Sequence, residues 1–413
     1  MREGRSLLAA LLMALLFPAL TMAQSESIVI LDEIEILDES DLGIEGVAVS
    51  PDGGVVIAHG ADSAVFIIDS ASPKNNSLIG PKGSVSLLDG SFHPGGKTVL
   101  LVGESGAILR LTMANLSIES AGGSSTFGDT ELGAVSWNSD GSWAYIGGEE
   151  GWIWRYRGLE DGGLEAFPLE NRGDSDINAI SCLRGSNICI VSTDFDGIGI
   201  IDEEHKLSWI GGFEHLWVDA VCNSISSFEC VAISSDLSIA RIGVNVGDTS
   251  ETTMYDNDIV QLQGFEGAMT GINPQRGGNS LISLAPFGLI EYDSSVSRSF
   301  HWLDNTDVVE FDVAISGERI VGTWGVSPYG GWIVTDRGSV VSFDLTEQEN
   351  GGSMLEIWIG LIILGGTTLM LLSLITSSSP RLSRWLTKKI GSEEERKSAI
   401  REERRLSRKK GRA

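Results

Sequence analysis

Positive charge is what this chain has least of: 29 Lys and Arg stand against 57 Asp and Glu, a formal net charge of −28 over 413 residues. Phosphate backbones require a basic face, so the balance excludes wholesale nucleic-acid binding. Histidine is scarce too, and His59, His93, His205, His215 and His301 show no ligand spacing. The four cysteines form two pairs, neither with the CxxC spacing of a zinc site. There is no HExxH, no GxSxG elbow and no GxGxxG entering a helix. SFHPGGKT (91–98) approaches a phosphate loop, but Ser91 stands where Gly is required and a strand follows at once. The expectation is a chain without metal, cofactor or catalytic centre.

What is abundant is glycine, 51 residues, within a composition 42% hydrophobic. Together with alternating Val, Ile and Ala runs, it predicts many short strands joined by tight turns around a sizeable core.

The ends set a topology. Arg2 and Arg5 precede the apolar stretch Leu7–Leu20, and Thr21-Met22-Ala23 offers a cleavage site, so 1–23 reads as a signal peptide. Residues 357–376 carry no charge and are long enough to span a hydrocarbon core, after a short stalk at 350–356. The tail 377–413 holds 13 basic and 5 acidic residues, which the positive-inside rule places in the cytoplasm, against anionic lipid. What remains between leader and span is far more acidic than the average and is expected outside the cell membrane.

That exported part, 24–349, repeats. Copies open at 46, 89, 133, 178, 219, 269 and 311, each with three β runs separated by turns. First-turn positions Ser50, His93, Asn138, Leu183, Ser224, Asn273 and Ser316 lie 41 to 49 residues apart. This period fits four-stranded propeller blades. The fold expected is all-β, a seven-bladed β-propeller (six or eight blades remain alternatives), plus one C-terminal transmembrane helix. The last copy lacks a fourth strand, and SIVILDEIEIL (27–37) can supply it, closing the ring without an open edge.

The SPDG, NSDG and HPGG turns, followed by VVIAHG or AYIGG runs, resemble the WD-repeat and YVTN-type propeller superfamily over about 300 residues. Ile68-Asp69 and Arg155-Tyr156 stand where WD repeats often end in Trp-Asp, and their paired His and Asp are missing. The resemblance implies a binding platform.

Cys182 and Cys189 flank a hairpin turn at Gly185-Ser186, and Cys222 and Cys230 flank NSISSFE. Disulfides 182–189 and 222–230 are expected among three pairings, with buried free thiols as the alternative. Asp194, Asp196 and Gly197 offer either a Ca²⁺ loop or a plain turn. Arg172-Gly173-Asp174 matches the integrin-ligand tripeptide, a short pattern that chance readily supplies. Asn75 and Asn115 head glycosylation sequons. Trp137, Trp143, Trp152 and Trp154 sit in one copy and are expected to fill gaps between blades. Trp324, Tyr329 and Trp332 lie in GTWGVSPYGGW, a loop-like composition, as recognition anchors or as packing. The function expected is a membrane-anchored, non-catalytic platform for a protein, glycan or envelope partner. An extracytoplasmic propeller enzyme (quinoprotein- or lactonase-like) and an envelope-complex assembly factor are the alternatives.

Overall fold

The glycines that end the second run of the early repeats follow from a backbone crossing. In the run Thr98–Gly103, the chain entering the same blade passes beside Gly103: Glu104 N donates to Ser86 O at 3.0 Å, and a Cβ on Gly103 would collide with that carbonyl. Gly60 and Gly148 stand in the same relation to Gly43 and Glu131. The first turns have their own chemistry. Ser50 N bonds Val55 O at 2.8 Å while Asp52 accepts from the Ser50 hydroxyl and Gly54 N. Asn138 and Asp140 repeat this arrangement in NSDG. Hydrogen bonds from the Ser50 hydroxyl and Gly54 N hold the Asp52 carboxyl below its usual range.

The computed structural model describes residues 27–38, 41–79, 83–121, 124–159, 164–222, 228–275, 278–345, 385, 387–389 and 391–410. Its strands form seven antiparallel four-stranded sheets. Blades 1 to 7 start with innermost strands Ile44–Val49, Leu87–Phe92, Ala134–Trp137, Ile177–Cys182, Trp217–Val221, Ala268–Pro274 and Ile320–Gly325. Each innermost strand touches the next, and that of blade 7 touches that of blade 1, so the ring closes around a channel. The outermost strand of blade 7 is Val29–Ile36, paired antiparallel with Ser339–Leu345 from Val29↔Leu345 to Ile36↔Ser339. The N-terminal run does supply the missing strand.

Middle strands are apolar on both faces because each blade packs between two others. The described core falls into seven clusters, one per pair of neighbouring blades. Leu87, Val99 and Leu101 of blade 2 meet Ile57 and Val65 of blade 1, for example. Burying such side chains is worth about 1.5–3 kcal/mol each.

The seventh repeat is displaced from its expected register. Asn305–Phe311 is a helix capped by Asp304, whose side chain accepts from Thr306 N, and Ile315–Gly317 is a 3-10 turn. The innermost strand starts only at Ile320, and the first turn lies at Val326–Gly330 instead of at Ser316. FDVAIS alternates like a strand, but its helix end is capped locally and Val313 is exposed.

The chain divides into two units, 1–346 and 347–413. In the second, Glu393–Lys410 is a helix begun by a capping box: Ser392 N donates to Glu395 Oε2 at 2.9 Å and Glu395 N to Ser392 Oγ at 3.5 Å. Among the described residues no helix is long and apolar enough to cross a membrane. The expected leader 1–23, stalk 350–356 and span 357–376 lie outside the described residues.

Candidate functional site

One face of the ring carries the first-turn hairpins, and their tips bond sideways. His93 Nε2 lies 3.2 Å from Gly141 O, joining blades 2 and 3. Gly185 N donates to Ser139 Oγ at 2.8 Å and Asn187 Nδ2 to Asp140 Oδ2 at 2.9 Å, joining blades 3 and 4. Cys222 N donates to Ser181 Oγ at 3.1 Å, joining blades 4 and 5, and Gln275 Nε2 reaches Pro328 O at 3.2 Å from blade 6 to blade 7. The disulfides Cys182–Cys189 and Cys222–Cys230 pin two of these neighbouring hairpins, in the pairing expected. The loop inside the second, 223–227, lies outside the described residues.

Between blades 2 and 3 this face opens into a cleft of about 300 Å³ lined by His93, Thr98, Arg110, Trp137 and Tyr156, among others. The His93 and Trp137 rings meet edge-on at 4.9 Å, and Trp137 Nε1 is buried without an acceptor. Arg110 and Arg157 sit opposite Glu119 and Glu165 across their strand pairs and bond to them, so the cleft's cations are balanced locally. Beside it the Arg155 guanidinium lies over both the Trp143 and Phe167 rings, at 5.0 and 5.1 Å from their centres. Trp154 packs on Phe127 in the core, and Trp152 stacks on Trp154 under Arg172. Asn75 and Asn115 are exposed in the turns before the outermost strands of blades 1 and 2, where Ser117 Oγ donates to Asn115 Oδ1 at 2.9 Å.

The aromatic loop expected at 322–332 is not a loop. Trp324 and Trp332 lie directly opposite each other on adjacent strands, 3% and 9% exposed, and Trp324 Nε1 donates to Ser70 O at 2.9 Å. Tyr329 alone occupies the turn, half exposed. The two tryptophans pack blade 7 against blade 1.

The opposite face carries the links between blades and the second turns. Here carboxylates cap the entering backbone: Ser86 N donates to Glu104 Oε2 at 2.9 Å, Glu131 N to Glu149 Oε2 at 3.3 Å and Arg319 N to Asp336 Oδ1 at 2.9 Å. In blade 4, Asp196 Oδ2 accepts from Asp174 N, Ser175 N and Ser175 Oγ at 2.8, 2.7 and 2.7 Å. Burial pushes the Asp196 carboxyl up, but these hydrogen bonds together bring it below its ordinary value. Asp194 Oδ1 accepts from Asn178 Nδ2 at 2.7 Å. The turn reading of Asp194–Gly197 therefore accounts for these side chains. Among the described residues no three His, Cys, Asp or Glu are grouped to hold a metal ion.

The channel holds two carboxylates that sequence reasoning missed. At the same place in the register of the innermost strands, blades 1, 3, 4, 6 and 7 carry Gly46, Ala134, Ala179, Gly271 and Gly322, while blades 2 and 5 carry Asp89 and Asp219. Asp89 accepts from Gly90 N at 2.7 Å and from Val135 N of the next blade at 2.6 Å. Asp219 accepts from Ala220 N at 2.7 Å and from Ile272 N of the next blade at 2.8 Å. Desolvation, only partly offset by these bonds, raises Asp89 to about 7 and Asp219 to about 6, with the Asp219 charge adding to the first. His59 is fully buried, its Nδ1 3.1 Å from Leu87 O, and burial pushes it down to about 4. Position in the sequence repeat finds Asp89, four places before His93, but not Asp219, which only the register of the folded strands aligns with it.

No family model matches the chain, and no curated protein matches it by sequence. Among solved structures, selenomethionine-substituted virginiamycin B lyase from Staphylococcus aureus is similar, with a TM-score of 0.59 and 15% identity. The match covers 77% of this chain and 100% of that one. At that identity the likeness is one of fold: the chain is a seven-bladed β-propeller.

Proposed function

We propose that the chain is a single-pass envelope protein whose propeller, of WD-repeat or YVTN-like type, is an extracytoplasmic, non-catalytic binding platform. The observation that carries this reading is the sideways bonding of the hairpin tips. The tips of blades 2 to 4 are bonded in a row, Cys222 ties the entry to blade 5's hairpin to blade 4, and blades 6 and 7 are joined again. Loops preorganised in this way lose little entropy when a partner binds. The signal-like leader, the uncharged run at 357–376 and the basic tail support an anchored ectodomain with its tail in the cytoplasm. The partner is a protein, glycan or envelope component. Affinity capture from intact cells with the secreted 24–350 fragment tests it: one recurrent envelope partner is expected, and retention of nothing above a denatured control sinks the platform.

A second reading, an extracytoplasmic enzyme of quinoprotein or lactonase type, is favoured by the channel pair Asp89 and Asp219, whose raised protonation suits proton transfer near neutral pH. The virginiamycin B lyase neighbour is an enzyme, which is compatible with it. Metal analysis with a quinone absorbance scan of the purified protein decides between the two, and clean negatives in both count against the enzyme.

A further inference from the structure

Two phenylalanines on the link face are left unused by the core. Phe195, in the second turn of blade 4, is 63% exposed, and Phe213, in the link to blade 5, is 58% exposed. Neither stands on a loose loop. Phe195 N donates to Ser175 Oγ at 3.3 Å, and Glu214 N to Phe195 O at 3.4 Å. Gly197 has φ +85°, and a Cβ there would meet Phe213 N at 3.1 Å, so the two loops touch backbone to backbone. Trp217 Nε1 fixes the other side by donating to Gly212 O at 2.6 Å. Exposed aromatics held on pinned loops have the character of interface anchors.

Their surroundings define the partner. Asp194 and Asp196 flank Phe195, Glu214 follows Phe213, and Asp174 is bonded through its amide to Asp196. The adjoining stretch of this face is acidic enough to act on itself: desolvation and the charges of Glu149, Glu104 and Asp176 raise the Glu131 carboxyl. Arg172, the nearby cation, is already stacked over Trp152. A second copy of this chain would bring acid against acid, and an anionic lipid surface would be repelled. A divalent ion finds the Asp196 oxygen that faces the loop already accepting three donors.

We propose that Phe195 and Phe213, within this acidic rim, form a docking site for a Lys- or Arg-rich protein segment that carries an aromatic or large apolar residue among its charges. The site rests on the platform reading and names the chemistry of one partner. The apolar residue packs between the two rings, and the cations meet Asp174, Asp194 and Glu214, giving both an anchor and electrostatic steering.

The test uses the full-length chain in detergent and fluorescence anisotropy with a short synthetic Lys-rich peptide carrying Phe, beside the same peptide with Phe replaced by Gly. Phe195→Ala with Phe213→Ala is expected to weaken the Phe peptide about tenfold, a loss typical of anchor residues, while leaving the Gly peptide unchanged. Asp174→Asn with Glu214→Gln is expected to weaken both peptides and flatten their salt dependence. Equal binding of the two peptides to the unaltered protein, or undiminished Phe-peptide binding by the double Phe variant, overturns the docking site. An unchanged melting temperature of each variant confirms that these surface changes leave the ring folded. If the double Phe variant captures the native envelope partner at full yield, the docking site fails and the platform stands. If the unaltered protein captures nothing, the platform fails, and the peptide comparison still decides the site.

Discussion

The two faces of the ring handle acidity in opposite ways. On the hairpin-tip face, Asp52 and Asp140 fold back on their own turns, and the second oxygen of Asp140 also accepts from Asn187 of the next blade, beside the neutral link from Gly185 N to Ser139. On the link face, Glu104, Glu149, Asp196 and Asp336 reach out to cap backbone amides that enter the blade. A surplus of carboxylates is thus tolerated by giving each a local donor set. The tip face is stiffened from blade to blade by its hairpin tips; the link face adds carboxylate caps within each blade to backbone bonds between blades, such as Leu132 N to Gly103 O at 3.1 Å.

Changes that attack each face separately test this contrast. The largest effect is expected on the link face from Gly103→Val, whose side chain meets the Ser86 carbonyl: about 3 kcal/mol of stability lost, read by urea unfolding. Removing the tip-face link with Cys182→Ser and Cys189→Ser is expected to cost about 2 kcal/mol, since the closed loop is short. A cost as large as that of Gly103→Val would mean that the tips carry the ring's stability. The channel pair comes next. Asp89 and Asp219 hold protons more tightly folded than unfolded, so the stability they lend is full below about pH 4 and is lost as pH rises through about 6 to 7. Between about pH 6 and 7.5, Asp89→Asn with Asp219→Asn is therefore expected to lose about 1–2 kcal/mol less than the unaltered protein, by denaturation at each pH. A parallel pH profile would show that these carboxyls are not the groups titrating. Glu104→Ala strips one amide of its acceptor and is expected to cost about 1 kcal/mol, again by urea unfolding. Tyr329→Ala, in an exposed turn, is expected to change stability by under about 0.5 kcal/mol.

The blade count, the supply of a strand from the N-terminal run and both disulfides were legible because turn chemistry repeats with the period. SPDG and NSDG fold by the same hydrogen bonds, and Cys182 and Cys189 are true cross-strand partners. Legibility failed where composition imitated something else. FDVAIS reads as a strand but sits in a capped helix and a turn, which moved the seventh register. GTWGVSPYGGW reads as a loop because glycine usually marks turns. Here Gly322 faces Val47, and Gly325 faces Gln275, so these glycines admit close neighbours inside a buried hairpin. Asp89 and Asp219 were hidden among many other acids, and only the register of the fold separates them from the rest. Phe195 and Phe213 carried no pattern at all, since exposure of a lone aromatic is a property of the assembled loops.

The pairing of Val29–Ile36 with Ser339–Leu345 constrains the order in which the molecule can be built. Its first strand emerges early but has no partner until residues over three hundred positions later have been made. Until then blade 7 lacks its outer strand, and blades 1 and 7 cannot meet. Contacts so distant in sequence close slowly, because the loop entropy must be overcome before they form. Blades 1 to 6 can assemble in sequence as the chain is delivered, each on the one before. The ring then locks in a single late event, and a chain interrupted before Leu345 is left as an open, edge-exposing arc.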